Sequence, residues 1–151
     1  MRSVTGDFEL LVAGAEDAIK REEIEELARP YRDRVKLHLS FLTDEEFEMA
    51  IQAVDAIVLP YRKTFNGASG PLGEGVAKGK MIIAANHGSL GDIVEKNHLG
   101  YTFESENIEA LRKVLNMAVQ RTNYTYDEKA NAYKNKLSIN EFKKQYCKLY
   151  F

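Results

Sequence analysis

Short apolar runs alternate along the chain with longer segments in which apolar and charged positions mix. Phe8-Glu9-Leu10-Leu11-Val12-Ala13-Gly14 reads as a buried strand stopped by glycine. In the charged segment that follows, from Glu16 to Arg29, Ile19, Ile24, Leu27 and Ala28 fall on one helical face, and Pro30 marks the exit. Val35-Lys36-Leu37-His38-Leu39 predicts a second strand. Thr43-Asp44-Glu45-Glu46 has the form of a capping box, in which the Thr43 hydroxyl caps and Glu46 reaches back. The helix it opens runs to about Val54. Ala56-Ile57-Val58-Leu59 predicts a third strand, ended by Pro60, and a glycine-rich loop leads to a short helix over Gly70 to Lys78. Met81-Ile82-Ile83-Ala84-Ala85 is apolar throughout, as a central parallel strand buried on both faces should be. Residues 88–96 predict a helix and 100–103 an edge strand. Ile108, Leu111, Val114, Leu115 and Ala118 line one face of a further helix. Strands and helices alternating with short turns imply an α/β fold with a doubly wound parallel sheet.

The tail changes character. Residues 124–151 are rich in tyrosine and carry no strand signal. Ser138-Ile139-Asn140-Glu141 has the form of a second capping box, flanked by Leu137 and Phe142 at the positions of a hydrophobic staple. Phe142, Tyr146, Leu149 and Tyr150 form one apolar stripe. The chain therefore divides into a Rossmann-like domain over 1–122 and helices over 123–151, which pack on that domain or on another one.

Composition narrows the function classes. A length of 151 residues matches one domain, and 44% hydrophobic residues exclude a disordered chain. The formal charge is −2 and no basic run tracks a phosphate backbone, which argues against nucleic-acid binding. No stretch of about 18 apolar residues predicts a membrane span. Met1 to Gly6 lacks the apolar core of a signal peptide. The one cysteine, Cys147, fits a reducing compartment and reads as a small buried hydrophobe. The expected location is the cytoplasm, with membrane contact only indirect. An apolar sheet edge near residues 1–14 predicts self-association.

Ligands of an open parallel sheet bind beyond the carboxyl ends of its strands. Three loops qualify: Ser40-Phe41-Leu42, Tyr61 to Ser69, and Asn86-His87-Gly88-Ser89. The middle one is the richest. Its small residues let a ligand approach the backbone, and the helix that starts near Gly70 presents its positive end there, which suits a diphosphate. Arg62 and Lys63 could add charge, although basic residues in an exposed loop usually remain solvated. Two better-known phosphate motifs fail. A P-loop ending at Gly79-Lys80 would need glycine where Glu74 stands and a hydroxyl where Met81 stands. Gly73, Gly75 and Gly79 lie too far past a strand for a dinucleotide fingerprint. His38, His87 and His98 lack metal-ligand spacing, and only His87 lies on a candidate ligand loop.

One ordered set of residues spans nearly the whole chain. It comprises Asp55 to Pro60, Ser69-Gly70-Pro71-Leu72, Glu74, Gly79 to Ala84, Gly88, Asp92-Ile93-Val94, Gly100 and Leu111. This set resembles the C-terminal, nucleotide-sugar-binding domain of GT-B glycosyltransferases of the family 4, or group 1, type. The resemblance implies a retaining transfer of a hexose from a UDP- or GDP-sugar to a saccharide or lipid-linked acceptor, as in polysaccharide biosynthesis, with no metal cofactor. By the same resemblance Glu74 binds the ribose hydroxyls of the donor. Gly67, Ala68, Ser69 and Gly70 form the turn whose amides hold the diphosphate. Phe41 and Leu42 lie beside the nucleobase. Asn66 stands where the family has a glutamate that contacts the transferred sugar, a departure that also suits a non-catalytic nucleotide-sugar-binding module or a reduced homologue. A second departure is that the family's domain opens with one more strand and helix, carrying a basic pair that clamps the diphosphate. The family's N-terminal acceptor-binding domain is likewise outside this chain, so the chain alone is expected to be inactive. No catalytic residue is assigned.

Overall fold

The computed structural model describes residues 4–16, 19–121, 123–138, 143 and 147. Its elements follow the expected alternation. Strand β1 (Leu10–Ala13) leads to α1 (Arg21–Ala28) and a 3-10 turn over Arg29–Tyr31. Strand β2 (Val35–His38) leads to α2 (Asp44–Ala53), β3 (Ala56–Leu59) to α3 (Gly70–Ala77), and β4 (Met81–Ala85) to α4 (Gly88–Lys96). Strand β5 (Gly100–Phe103), α5 (Ile108–Gln120) and α6 (Glu128–Lys136) complete the series.

All strand pairs are parallel. The strands form two hydrogen-bonded pieces, β1-β2 and β3-β4-β5, where the sequence pattern alone suggests one sheet. In the larger piece β4 is central, with Ala56 opposite Met81 and Ile82 opposite Gly100. All five residues of β4 are buried, as a doubly covered strand requires. Ile82 and Ala84 join Ile51 of α2, Leu72 and Val76 of α3, Leu90 and Val94 of α4 and Ala130 of α6 in one core. Met81, Ile83 and Ala85 point the other way and pack with Phe103 and with Val114 of α5. Helices therefore cover both faces of this piece.

The smaller piece departs from expectation. The apolar run of β1 reads as a buried strand, yet none of its residues is fully buried, and Leu11 is 36% exposed. The reason is in its pairing. Leu11 lies opposite Lys36 and Ala13 opposite His38, both exposed, so this face of the pair meets solvent, while Leu10, Val12, Val35 and Leu37 are partly covered. Helix α1 buries no residue completely, and Leu27 is exposed.

Local signals are realised where side chain and backbone meet at short range. At the start of α2 the Glu46 amide donates to Thr43 Oγ1 at 3.2 Å, and the Thr43 amide donates to Glu46 Oε2 at 2.8 Å. These bonds, the one from the Thr43 amide foremost, hold the Glu46 carboxyl below its ordinary range. Helix α6 packs against α3 and the first core through Ala130 and Tyr133. The Tyr126 hydroxyl donates to the Lys80 carbonyl at 2.7 Å, and burial pushes its phenol well above the usual range. The second capping box and the stripe Phe142, Tyr146, Leu149 and Tyr150 fall on residues outside the described ones, apart from Ser138. Cys147, expected as a buried hydrophobe, is exposed. Among the described residues, no helix is long and apolar enough to cross a membrane.

Gly100 opens β5 at φ +152°, and a Cβ there would sit 2.1 Å from the Ile82 carbonyl oxygen and 2.8 Å from its amide nitrogen. Those atoms belong to the buried β4 backbone and have nowhere to move. Gly100→Ala is expected to lower the unfolding free energy by roughly 3 kcal/mol. Urea denaturation measures it, and a loss below about 1 kcal/mol would contradict the close β4–β5 approach.

Candidate functional site

Parallel strands place their carboxyl ends on one side, and there the loop from β3 to α3 meets the loops that follow β4 and β5. Four contacts hold it. Ser105, buried beyond β5, donates its hydroxyl to the Tyr61 carbonyl at 3.0 Å. His87, beyond β4, places Nε2 at 3.1 Å from the Phe65 carbonyl oxygen. Inside the loop the Tyr61 and Phe65 rings stack at 4.1 Å between centroids with 32° between planes. The Phe65 amide closes a turn onto the Arg62 carbonyl at 2.9 Å.

The far end of the loop is organised by Ser69. As N-cap of α3 its hydroxyl accepts from the Leu72 amide at 3.2 Å, and the same oxygen lies 3.2 Å from the Tyr61 hydroxyl. The Gly73 amide bonds to the Ser69 carbonyl at 3.3 Å, and Pro71 has no N–H. At the start of α3 this leaves the Gly70 amide, together with those of the loop before it, for an outside acceptor. Asn66, Gly67, Ala68 and Gly70 are exposed and Ser69 is half-buried. A side chain at Gly70 would meet nothing within 4 Å. Glu74 follows one turn into α3 on its exposed side, while Leu72, Gly75 and Val76 form the buried side. A Cβ at Gly75 would lie 2.4 Å from Ile57 Cδ1, so the helix packs close to β3 through that position.

The structure thus brings Asn66, Gly67, Ala68, Ser69, Gly70 and Glu74 into one exposed rim at the carboxyl end of β3. Phe41 and Leu42 stand beyond β2, in the other sheet piece; Phe41 is 83% exposed and Leu42 half-buried. His87 is tied to the loop backbone. Arg62 and Lys63 are exposed. Tyr61 lies in the loop that the sequence pattern selects but is not among the site residues named from it, and Ser105 lies outside that loop. Ser105 reaches the loop across 44 residues of chain, a contact with no local signature.

A cavity of about 430 Å3 lies on the opposite side, at the amino end of β5, lined by residues that include Glu95, His98, Arg121 and Asp127. Its polar groups already pair with one another. His98 Nδ1 lies 2.7 Å from Asp127 Oδ2, Arg121 donates to the Tyr101 hydroxyl at 3.1 Å, and Thr102 donates to Glu95 at 2.5 Å. The Ala130 amide and then His98 hold the Asp127 carboxyl low, and burial pushes the Tyr124 phenol up to about 12. Among the described residues no group of three or more His, Cys, Asp or Glu is placed to hold a metal ion.

Parallel strands, helices on both faces and a glycine-rich loop entering a helix at the carboxyl end of β3 define a Rossmann-like domain. A profile of the family described as glycosyl transferases group 1 matches residues 1–120, and the chain belongs to that family. Among solved structures it is similar to a sucrose-phosphate synthase from Thermosynechococcus elongatus, with 21% identity and a TM-score of 0.72, over 94% of this chain and 37% of that one. It is also similar to AviGT4, a glycosyltransferase involved in avilamycin A biosynthesis, with 16% identity and a TM-score of 0.48, over 85% of this chain and 42% of that one. The chain therefore spans less than half the length of either. No curated protein matches it.

The Ser69 hydroxyl is the measurable anchor of the rim. Ser69→Ala removes the cap of α3 and is expected to destabilise the fold by about 1 kcal/mol in urea unfolding. Tyr61→Phe, which removes only the hydroxyl facing Ser69, should cost less. Identical unfolding curves for Ser69→Ala and the wild type would contradict the cap.

Proposed function

We propose that this chain is the donor-binding part of a retaining glycosyltransferase that moves a hexose from a UDP- or GDP-sugar to a saccharide or lipid-linked acceptor. The observation that carries the reading is the tethered β3–α3 loop, which leaves the amides around Gly67 to Gly70 exposed at a helix start with Glu74 one turn beyond. Amides aimed at the diphosphate would stabilise the charge that develops as the glycosidic bond breaks. A carboxylate at Glu74 accepts two hydrogen bonds from a ribose diol. Phe41 and Leu42 offer apolar surface to the base, and Asn66 lies beside the transferred sugar. The proposal includes no resident metal ion.

The solved relatives are longer, and the transfer itself belongs to the whole protein, where an acceptor-binding domain completes the cleft. This chain alone is expected to bind donor without turnover. The proposed location is the cytoplasm, with any membrane contact indirect and through a lipid-linked acceptor. The open edge of β1 and the exposed Leu11 support self-association in solution. The amide at Asn66, in the place of a glutamate, favours one second reading, a module that holds a nucleotide sugar without turnover. Hexosyl transfer by the whole protein separates the two.

Calorimetric titration with UDP and GDP tests the site. Gly70→Asp sets a negative charge among the amides and should abolish binding. Glu74→Ala should weaken it by roughly 1–3 kcal/mol, and Glu74→Gln by less. A 2′,3′-dideoxy nucleotide lacks the diol and should bind the wild type and Glu74→Ala alike. Equal weakening of the natural and dideoxy forms by Glu74→Ala would remove Glu74 from the ribose.

A further inference from the structure

We propose that His87 is the positioning residue of the donor loop: from the start of α4 it holds the Phe65 carbonyl and thereby places Asn66 against the transferred sugar. This rests on the donor reading above. His87 occupies the N-cap of α4, where a side chain ordinarily caps its own helix, yet its ring makes no such bond. The ring turns across to the neighbouring loop, with Nε2 3.1 Å from the Phe65 carbonyl oxygen. A carbonyl only accepts, so Nε2 carries the hydrogen of this bond. Nδ1 is buried and has no hydrogen-bond partner. The bond to Phe65 is therefore the one polar contact that orients the ring.

Phe65 is the residue through which such a bond acts on the whole turn. Its ring stacks on Tyr61, its amide bonds to Arg62, and its Cζ lies 3.3 Å from where a Cβ of Gly67 would stand. Asn66 lies between these fixed points. The Ser105 hydroxyl holds the other end of the turn at Tyr61. Ser69 has, besides the Tyr61 hydroxyl, its own cap bond from the Leu72 amide, which does not pass through Phe65. Loss of the His87 contact should therefore disturb Asn66 more than the diphosphate amides at the helix start. The backbone behind the loop is also fixed. A Cβ at Gly91 would lie 2.5 Å from the Asn86 carbonyl carbon, so the first turn of α4 is pressed against the residue before His87.

The test compares the wild type with His87→Phe, which keeps the ring and removes the donor, and with His87→Gln, which returns an N–H at a similar reach. Hydrogen exchange at the Phe65 amide should accelerate in His87→Phe and return toward the wild-type rate in His87→Gln. Calorimetry with UDP, UDP-glucose, GDP and GDP-mannose reads the second effect. In His87→Phe the affinity for the nucleotide sugar should fall relative to its nucleotide by roughly 3- to 10-fold, the effect of one net hydrogen bond, and recover in His87→Gln. Unchanged exchange at Phe65 in His87→Phe overturns the tether. Equal loss for nucleotide and nucleotide sugar overturns the placement of Asn66. If no probe binds the wild type while Phe65 exchange still responds, the donor reading fails, and with it the positioning role, and only the tether stands.

Discussion

A strand buried on both faces has to be covered on both sides, and the five apolar residues of β4 impose that condition on everything around them. Ile82 and Ala84 draw α2, α3, α4 and α6 onto one face, and Met81, Ile83 and Ala85 draw α5 onto the other. Backbone groups in such a strand have no water to bond, so β3 and β5 must flank it in register. Gly100 shows how tight the flank is, because even a methyl group there would overlap the Ile82 backbone. Once β3, β4 and β5 run parallel, their following loops emerge together. That proximity is what lets His87 and Ser105 reach the β3–α3 loop at all.

The loop owes its form to contacts from its neighbours. Glycine and alanine at 67 and 68 leave backbone open to an approaching ligand, but small residues alone would also leave the loop free to move. The ties at Tyr61, Phe65 and Ser69 limit that freedom, and a loop so held would lose less entropy on meeting a ligand.

Signals that act within a few residues were legible in the chain. The Thr43–Glu46 capping box, the all-apolar β4 and the helical spacing of α5 each follow from local pattern, and each stands in the structure. Signals that depend on pairing were not. The run Leu10-Leu11-Val12-Ala13 matches a buried strand in isolation, and only its register against Lys36 and His38 shows that one face meets solvent. His87 stood out as a residue on a ligand loop, whereas its partner, the Phe65 carbonyl, lies 22 residues back in the chain. Of the residues named from the sequence, those from Asn66 to Glu74 lie together because one turn and one helix start hold them, a proximity that their spacing alone implies. Ser105 gave no signal, since a lone serine after a strand resembles any loop residue until the fold brings it to Tyr61.

The most direct test of the central claim is a map of backbone amide shifts in the chain titrated separately with UDP and GDP. The donor-site account predicts that the largest shifts fall on residues 66 to 74, with a second group at Phe41 and Leu42. Shifts that cluster instead around His98 and Asp127 at the amino end of β5, or no shift with either nucleotide, would contradict it.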